Sequence, residues 1–378
     1  MNITVIHVMR TYGVHGGENQ LAQLFTSFSE PGFRHHFIFL YRDDICMQYF
    51  SKIKGLTTSL LLSFKSNIFP SLIAEILTLL FLLPILQIRL LFILRQSHAR
   101  ICVAHGVQGA AVAWLSAIFL HQVRFVYVHR GTKSSKNKHS LLSLLYRPFD
   151  KIAGVSHASA DSLRSIVPGK LPVAIENGIN WQAVERQLKG CPNISLNDSF
   201  VFICVGRLIS AKGQELIIDS FAEVCKHVAN AELRVIGMGT NLNSLKSRSE
   251  MLGIANKVHF LGERNDVICL LGDSEVFIHA SESEGLSNAV LEAMAVGLPS
   301  VVVAAPGVTE CHIDNETAFI VSRSPAEVSA RLLLLASDSV LRKSMGMAAK
   351  ERVRNVYSIE ANCMRYFTLY HQLITSAH

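Results

Sequence analysis

The 378-residue chain has eight cysteines but no Cys-x-x-Cys pair. They stand singly, at Cys46, Cys102, Cys191, Cys204, Cys225, Cys269, Cys311 and Cys363, several of them inside apolar runs. That pattern argues against a zinc ribbon, a dithiol redox centre or a disulfide scaffold, and is read as eight buried reduced thiols in a reducing compartment. A charge-free apolar run of about 20 residues, which a membrane span requires, is also missing. In the greasiest stretch, 68–94, Glu75 and Arg89 bracket 13 uncharged residues, 76–88, and Pro84 interrupts them. One or two packed helices are expected there, with one face able to lie in a membrane interface beside Arg89, Arg95 and Arg100. The opening MNITVIHVM lacks a basic segment and a long apolar core, so a strand is expected and not a signal peptide. Nor is there a complete G-x-G-x-x-G. Gly237-Met238-Gly239 is followed by Leu242 at the third glycine's place, and Leu261-Gly262 stands where an acidic ribose ligand would end the next strand. A dinucleotide oxidoreductase is set aside on those grounds. Aromatic residues do not interleave with basic ones as a base-stacking platform needs, so nucleic acid is not an expected partner.

What is present describes a folded chain of two domains, with 49% hydrophobic and 17% charged residues. Charge is uneven. Residues 1–180 carry 18 Lys+Arg against 8 Asp+Glu, a net of +10, and the remainder has a net of −3. A basic first half suggests an anionic partner such as phospholipid headgroups or phosphorylated substrates. Short β-branched runs alternate with helical stretches, the pattern of parallel α/β domains. Strands are expected at 3–8, 36–40, 101–104, 124–129, 151–155 and 173–175, then at 200–205, 232–236, 258–261, 276–279, 300–303 and 318–320. The reading is a domain over 1–180, a linker over 181–198, a second domain over 199–355 and a terminal helical segment, 356–378, packing back on the first. Two doubly wound parallel sheets facing each other across a cleft would place ligands beyond the carboxyl ends of the strands.

Four segments could carry chemistry. In SESEGLSNAVLEAMAVG, 281–297, Glu284 falls in a loop, a helix begins near Ser287 or Asn288, and Glu292 lies about a turn inside it. A helix N-terminus beside two carboxylates suits a phosphate next to sugar hydroxyls. In VGRLISAKG, 205–213, Gly206 permits a sharp turn, Arg207 offers a planar fork and Lys212 a mobile point charge for a diphosphate. Gly16-Gly17-Glu18 follows the first strand and allows close backbone approach to a ligand. His129 ends the strand RFVYVH, and His105 ends ICVAH, both at a carboxyl end. Asp43-Asp44 and Asp273-Ser274-Glu275 make no D-x-D and are read as structural.

Together with GVSHASADSL, ENGIN, LGERNDV, LEAMAVGLPSVV and PGVTE, these segments resemble the family 4 glycosyltransferases, retaining enzymes of GT-B fold. The likeness is specific over 200–310 and looser before 150. It implies that Arg207 and Lys212 bind the donor diphosphate and that Glu292 holds the ribose hydroxyls. Glu284 and the backbone N–H groups of Gly285, Leu286, Ser287 and Asn288 would hold the transferred sugar and phosphate. His129 would lie near the reacting carbon, Gly16, Gly17 and Gly206 near the donor, and Arg264 near the base. Asn180 stands where the family usually has Asp, and Pro306 where a second Gly is common. The EGLSNAVLEAM form is similar to enzymes of envelope polysaccharide, lipopolysaccharide and O-antigen synthesis. The resemblance further implies a nucleotide-sugar donor carried on UDP, a glycan or lipid-linked acceptor, no metal or other cofactor, and a peripheral position on the cytoplasmic face of an anionic membrane. The alternatives are a GT-B epimerase or a soluble sugar-phosphate glycosyltransferase and, among non-enzymes, a peripheral membrane binding module.

Overall fold

A computed structural model of the protein describes residues 3–10, 16–27, 32–63, 72–132, 139–192 and 199–375. The chain divides into two compact units, Met1–Gly178 with Ile359–His378, and Ile179–Ser358.

The first unit contains β1 (Ile3–Met9), α1 (Gly16–Ser27), β2 (Phe33–Phe39), α2 (Asp44–Ser51), β3 (Leu56–Leu60), α3 (Leu72–Gln96), β4 (Ile101–His105), α4 (Gly106–Phe119), β5 (Arg124–His129), α5 (His139–Tyr146), β6 (Lys151–Gly154), α6 (His157–Arg164) and β7 (Val173–Ala174). Its strands form one parallel sheet in the order β3-β2-β1-β4-β5-β6-β7. Helices cover both faces, so the strands are apolar on both sides instead of alternating. On β1, Ile6 and Val8 join one core with Leu86, Leu90 and Leu94 of α3. Val5 and Met9 join the other, with Leu21 and Phe25 of α1.

β3 and α2 were not expected. LTTSL is half polar because β3 is the sheet edge, and α2 is short, opened by Asp43 accepting from the Cys46 N–H. Pro84, expected to interrupt 76–88, lies inside an unbroken α3. Residues 68–71 of the apolar stretch fall outside the described residues.

The second unit contains α7 (Trp181–Lys189), β8 (Phe200–Val205), α8 (Gln214–His227), β9 (Ala231–Ile236), α9 (Leu242–Met251), β10 (Val258–Gly262), α10 (Val267–Gly272), β11 (Val276–His279), α11 (Asn288–Val296), β12 (Ser300–Val303), β13 (Phe319–Val321), α12 (Pro325–Ser337) and α13 (Ser339–Val356). The parallel order is β10-β9-β8-β11-β12-β13. Phe202 and Cys204 face a core with Ile217 and Phe221 of α8, while Ile203 faces one with Leu291 and Met294 of α11. The last helix, α14 (Ile359–Thr375), belongs to the first unit, where Tyr366 and Tyr370 enter the core beside Phe25.

Two readings are corrected here. Half of the expected linker is α7, a helix capped by the Asn180 side chain on the Ala183 N–H, with Val184 buried in the second unit's core. Residues 193–198 of it fall outside the described residues. The eight thiols are not all free, because Cys191 and Cys269 form a disulfide. The packing of α7 on α10 brings their Cα atoms to 5.5 Å, across a sequence separation of 78 that no spacing motif would flag.

Candidate functional site

In the second unit, β8 delivers the chain into the loop Gly206–Gly213. The Leu208 N–H donates to the Met238 carbonyl and the Leu208 carbonyl accepts from the Asn241 N–H, each at 2.9 Å. The Gly-Met-Gly segment thus braces this loop. Arg207 is exposed and forms no ion pair among the described residues, and its carbonyl accepts from Gln214 Nε2 at 3.0 Å. The loop closes at Gly213, whose φ of 69° favours glycine and where a Cβ would lie 2.3 Å from the Ala280 oxygen. That close approach sets Lys212 against the end of β11.

Lys212 Nζ pairs with Glu284 Oε1, with both side chains more than four-fifths buried. The same oxygen accepts from Ser281 Oγ at 2.7 Å and lies 3.3 Å from His279 Nε2. Glu284 is fixed from behind as well. Its N–H donates to the Pro306 carbonyl at 2.9 Å. At Gly307, with φ 74°, any Cβ would lie 2.1 Å from the Glu284 carbonyl oxygen. Burial would raise the Glu284 carboxyl, but contact with the His279 ring and the Lys212 ammonium outweighs it and holds the group at about 2. Glu284 is therefore a fixed anion at neutral pH.

The turn Gly285–Ser287 leads into α11. Leu286 and Ser287 are buried, and Ser287, in extended geometry at the N-cap, makes no side-chain cap bond. The positive end of α11 is thus uncapped by its own side chain, as an anion-binding terminus requires. Glu292, on the next turn after Asn288, has its carboxyl pushed up to about 7 by burial. A carboxyl near neutrality, with no ion pair among the described residues, suits hydrogen bonding to hydroxyls. Arg264 is exposed and bound to Asp266 at 2.6 and 2.8 Å, so its charge is already matched within its own loop.

The remaining expected residues are in the first unit. His129 Nδ1 lies 3.0 Å from the Tyr127 hydroxyl, and Tyr146 donates to the Tyr127 oxygen at 3.0 Å. Tyr127 is then left to donate to Nδ1, which places the His129 proton on Nε2. Burial lowers the His129 pKa, so the ring is a neutral donor. Gly16 and Gly17 open α1, and Gly17 packs on Arg130.

The structure therefore brings Lys212 and Glu284 into direct contact, sets Arg207 on the same loop as Lys212, and places His129, Gly16 and Gly17 in the other unit. Sequence reasoning missed Ser281 and His279. The signal was present for His279, which ends β11 just as His129 ends β5. The two acidic pairs read as structural have structural partners. Arg42 binds Asp44 at 2.6 Å, and Arg234 binds Asp273 at 2.9 Å.

Comparison with known proteins gives a consistent picture. Residues 192–352 match the family model of glycosyl transferases group 1. An uncharacterized glycosyltransferase of Methanocaldococcus jannaschii, MJ1059, is 29% identical over 238 residues, which is 56% of this chain and 57% of that one. The match thus spans less than two thirds of that relative's length. The UDP-Gal:alpha-D-GlcNAc-diphosphoundecaprenol alpha-1,3-galactosyltransferase of Escherichia coli is 25% identical over 285 residues, 73% of this chain and 70% of that one. A crystal structure of a glycosyltransferase from Rickettsia africae superposes with a TM-score of 0.82 at 17% identity, covering 99% of each chain. At that identity the likeness establishes the fold, two parallel-sheet α/β domains of GT-B type.

Proposed function

We infer, from residues 192–352 being a glycosyl transferases group 1 domain, that the chain is a glycosyltransferase that moves a hexose or N-acetylhexosamine from a nucleotide diphosphate-sugar to an envelope glycan or lipid-linked acceptor. The observation that carries this reading is the Lys212–Glu284 pair at the carboxyl end of β11, next to an uncapped helix N-terminus. UDP as the carrier is supported by the E. coli relative, whose name specifies UDP-Gal.

In this reading Arg207, Lys212 and the N-terminus of α11 take up the charge of the departing diphosphate. Glu292 accepts from the ribose hydroxyls. Glu284 accepts from hydroxyls of the moving sugar. Charge stabilisation by fixed donors in a site shielded from water is a large part of such catalysis. Because two cations and a helix dipole can meet the leaving group, the reading needs no metal ion. Retention follows from attack on the face the diphosphate leaves, with the fixed Glu284 anion steadying an oxocarbenium-like sugar.

The acceptor reading rests on the first unit's surface. Among the described residues no helix is long and apolar enough to cross a membrane. Yet α3 exposes Phe81 (82%), Ile85 (51%), Ile88 (49%) and Phe92 (55%) at intervals of 4, 3 and 4 residues, a single stripe opposite the buried Leu86, Leu90 and Leu94. Exposed Arg89 and Arg95 flank that stripe. An apolar stripe edged by cations suits the interface of an anionic membrane, where a lipid-linked acceptor would be met.

Calorimetric titration of the full-length protein with a panel of UDP- and other nucleotide sugars tests the proposal. Binding of at least one, abolished in Glu284→Ala, is the expected result. Absence of binding by every nucleotide sugar would refute it.

A further inference from the structure

In the second unit, the loop that follows β11 is tied to the Lys212 turn at the backbone as well as through the Lys212–Glu284 pair. The Glu282 N–H donates to the carbonyl of Ala211, one residue before Lys212, at 2.9 Å. The Ala280 carbonyl stands against Gly213, one residue after Lys212, so closely that a Cβ there would lie 2.3 Å from the oxygen. Between these two points Ser281, wholly buried, donates to Glu284 Oε1 at 2.7 Å. A shift of the backbone at Ala280 would therefore be felt by Lys212 on one side and by Glu284 on the other.

A residue from farther along the sheet holds that backbone. Arg323 lies two residues beyond β13, and β12 stands between β13 and β11. Its side chain spans the gap. Nη1 donates to the Ala280 carbonyl at 2.9 Å, and Nη2 lies 3.8 Å from Glu282 Oε1. The two contacts are unequal. The ion pair is long and its side chains are 41% and 44% exposed, so water screens it and it contributes little. The carbonyl bond is charge-assisted and reaches a residue only 1% exposed. His279 is the last residue of β11 in register with a neighbouring strand, so the next carbonyl needs a donor from outside the ladder. The base of the arm is fixed too. The Ser322 N–H donates to Glu327 Oε2 at 2.9 Å and the Ser324 N–H to the Ser322 carbonyl at 2.8 Å.

We propose that Arg323 is a positioning residue for donor binding, which by holding the Ala280 carbonyl against Gly213 sets where Lys212 and Glu284 stand. It acts through that carbonyl and not by contact with the substrate. The proposal rests on the transferase reading, in which Lys212 meets the diphosphate of the donor.

The test is calorimetric titration of the full-length chain with UDP, GDP, ADP and TDP, continued with the nucleotide that wild type binds most tightly. Arg323→Met, Arg323→Lys, Lys212→Met and the double variant Arg323→Met with Lys212→Met are compared after circular dichroism confirms the fold. Arg323→Met should bind that nucleotide about tenfold more weakly, and Arg323→Lys, which restores a cationic donor, should recover most of the loss. The double variant should bind no more weakly than Lys212→Met alone, because an effect that runs through Lys212 then has nothing left to act on. General damage would instead add its loss to that of Lys212→Met. Wild-type affinity in folded Arg323→Met, no recovery in Arg323→Lys, or fully additive losses each overturn the assignment. Should Arg323→Met not fold, Arg323→Gln takes its place in every comparison. Nucleotide lost in Lys212→Met and kept in Arg323→Met removes Arg323 and leaves the transferase reading standing. Wild-type protein that binds none of the four nucleotides overturns both.

Discussion

Replacing Lys212 by methionine removes one charge from the best-defined contact in the protein and should show itself in two independent measurements. Glu284, ordinarily near 4.5, is held at about 2 by His279 and Lys212 against the cost of its burial. A carboxyl lowered that far is favoured as its anion by about 3 kcal/mol. Lys212 is one of the two groups, after His279, that lower it, so its loss should remove about 1–2 kcal/mol of that preference. The sign follows from linkage. A carboxyl with a lowered folded-state pKa adds stability that is fully present above its unfolded value, near 4.5. That stability is lost as pH falls towards 2. Wild-type protein should accordingly lose stability between pH 5 and pH 3, and Lys212→Met should start lower at pH 7 and lose less over the same interval. Urea denaturation midpoints at pH 7, 5, 4 and 3 measure both slopes. Transfer of sugar from the donor should fall about a hundredfold or more, because a fixed cation at the leaving group is worth about 3–4 kcal/mol in the transition state. A Lys212→Met protein with wild-type turnover and an unchanged acid slope refutes both the pairing and the role.

Glu292, raised to about 7 by burial, should make nucleotide affinity rise several-fold between pH 6 and pH 8 as the better hydroxyl acceptor, its anion, forms. Glu292→Gln should flatten that profile in calorimetry. Reduction of Cys191–Cys269 should lower stability by about 4 kcal/mol, from a loop of 78 residues released in the unfolded chain, and non-reducing peptide mapping should recover the cross-linked pair. The double change Phe81→Ser and Phe92→Ser should cut sedimentation with anionic liposomes several-fold while leaving the thermal midpoint within a few degrees, since both rings are exposed. Added salt should weaken the wild-type association too, as the flanking arginines predict.

Much of the architecture was legible in the residues alone. A parallel sheet covered on both faces demands unbroken apolar strands, and VFICV, VFIH and SVVV could be little else. Gly206–Gly213 and Glu284–Glu292 could be singled out as candidate segments because glycines, cations and carboxylates cluster where strands end. The edge strand LTTSL was not readable, because a strand with one neighbour need not be apolar throughout. The helix Trp181–Lys189 was hidden by a polar face, since only Val184 is buried.

The residue types and their order thus determined the two α/β units and pointed to the candidate segments, because periodicity and strand-end loops are local properties of the chain. Only the tertiary structure decided who partners whom. Lys212 meets Glu284 across 72 positions, His7 meets His105 across 98, and Cys191 meets Cys269 across 78. Such pairs are set by the order in which strands lie in the sheet and by how closely glycines let loops approach, and both depend on the packing of the whole unit and not on any local run of residues.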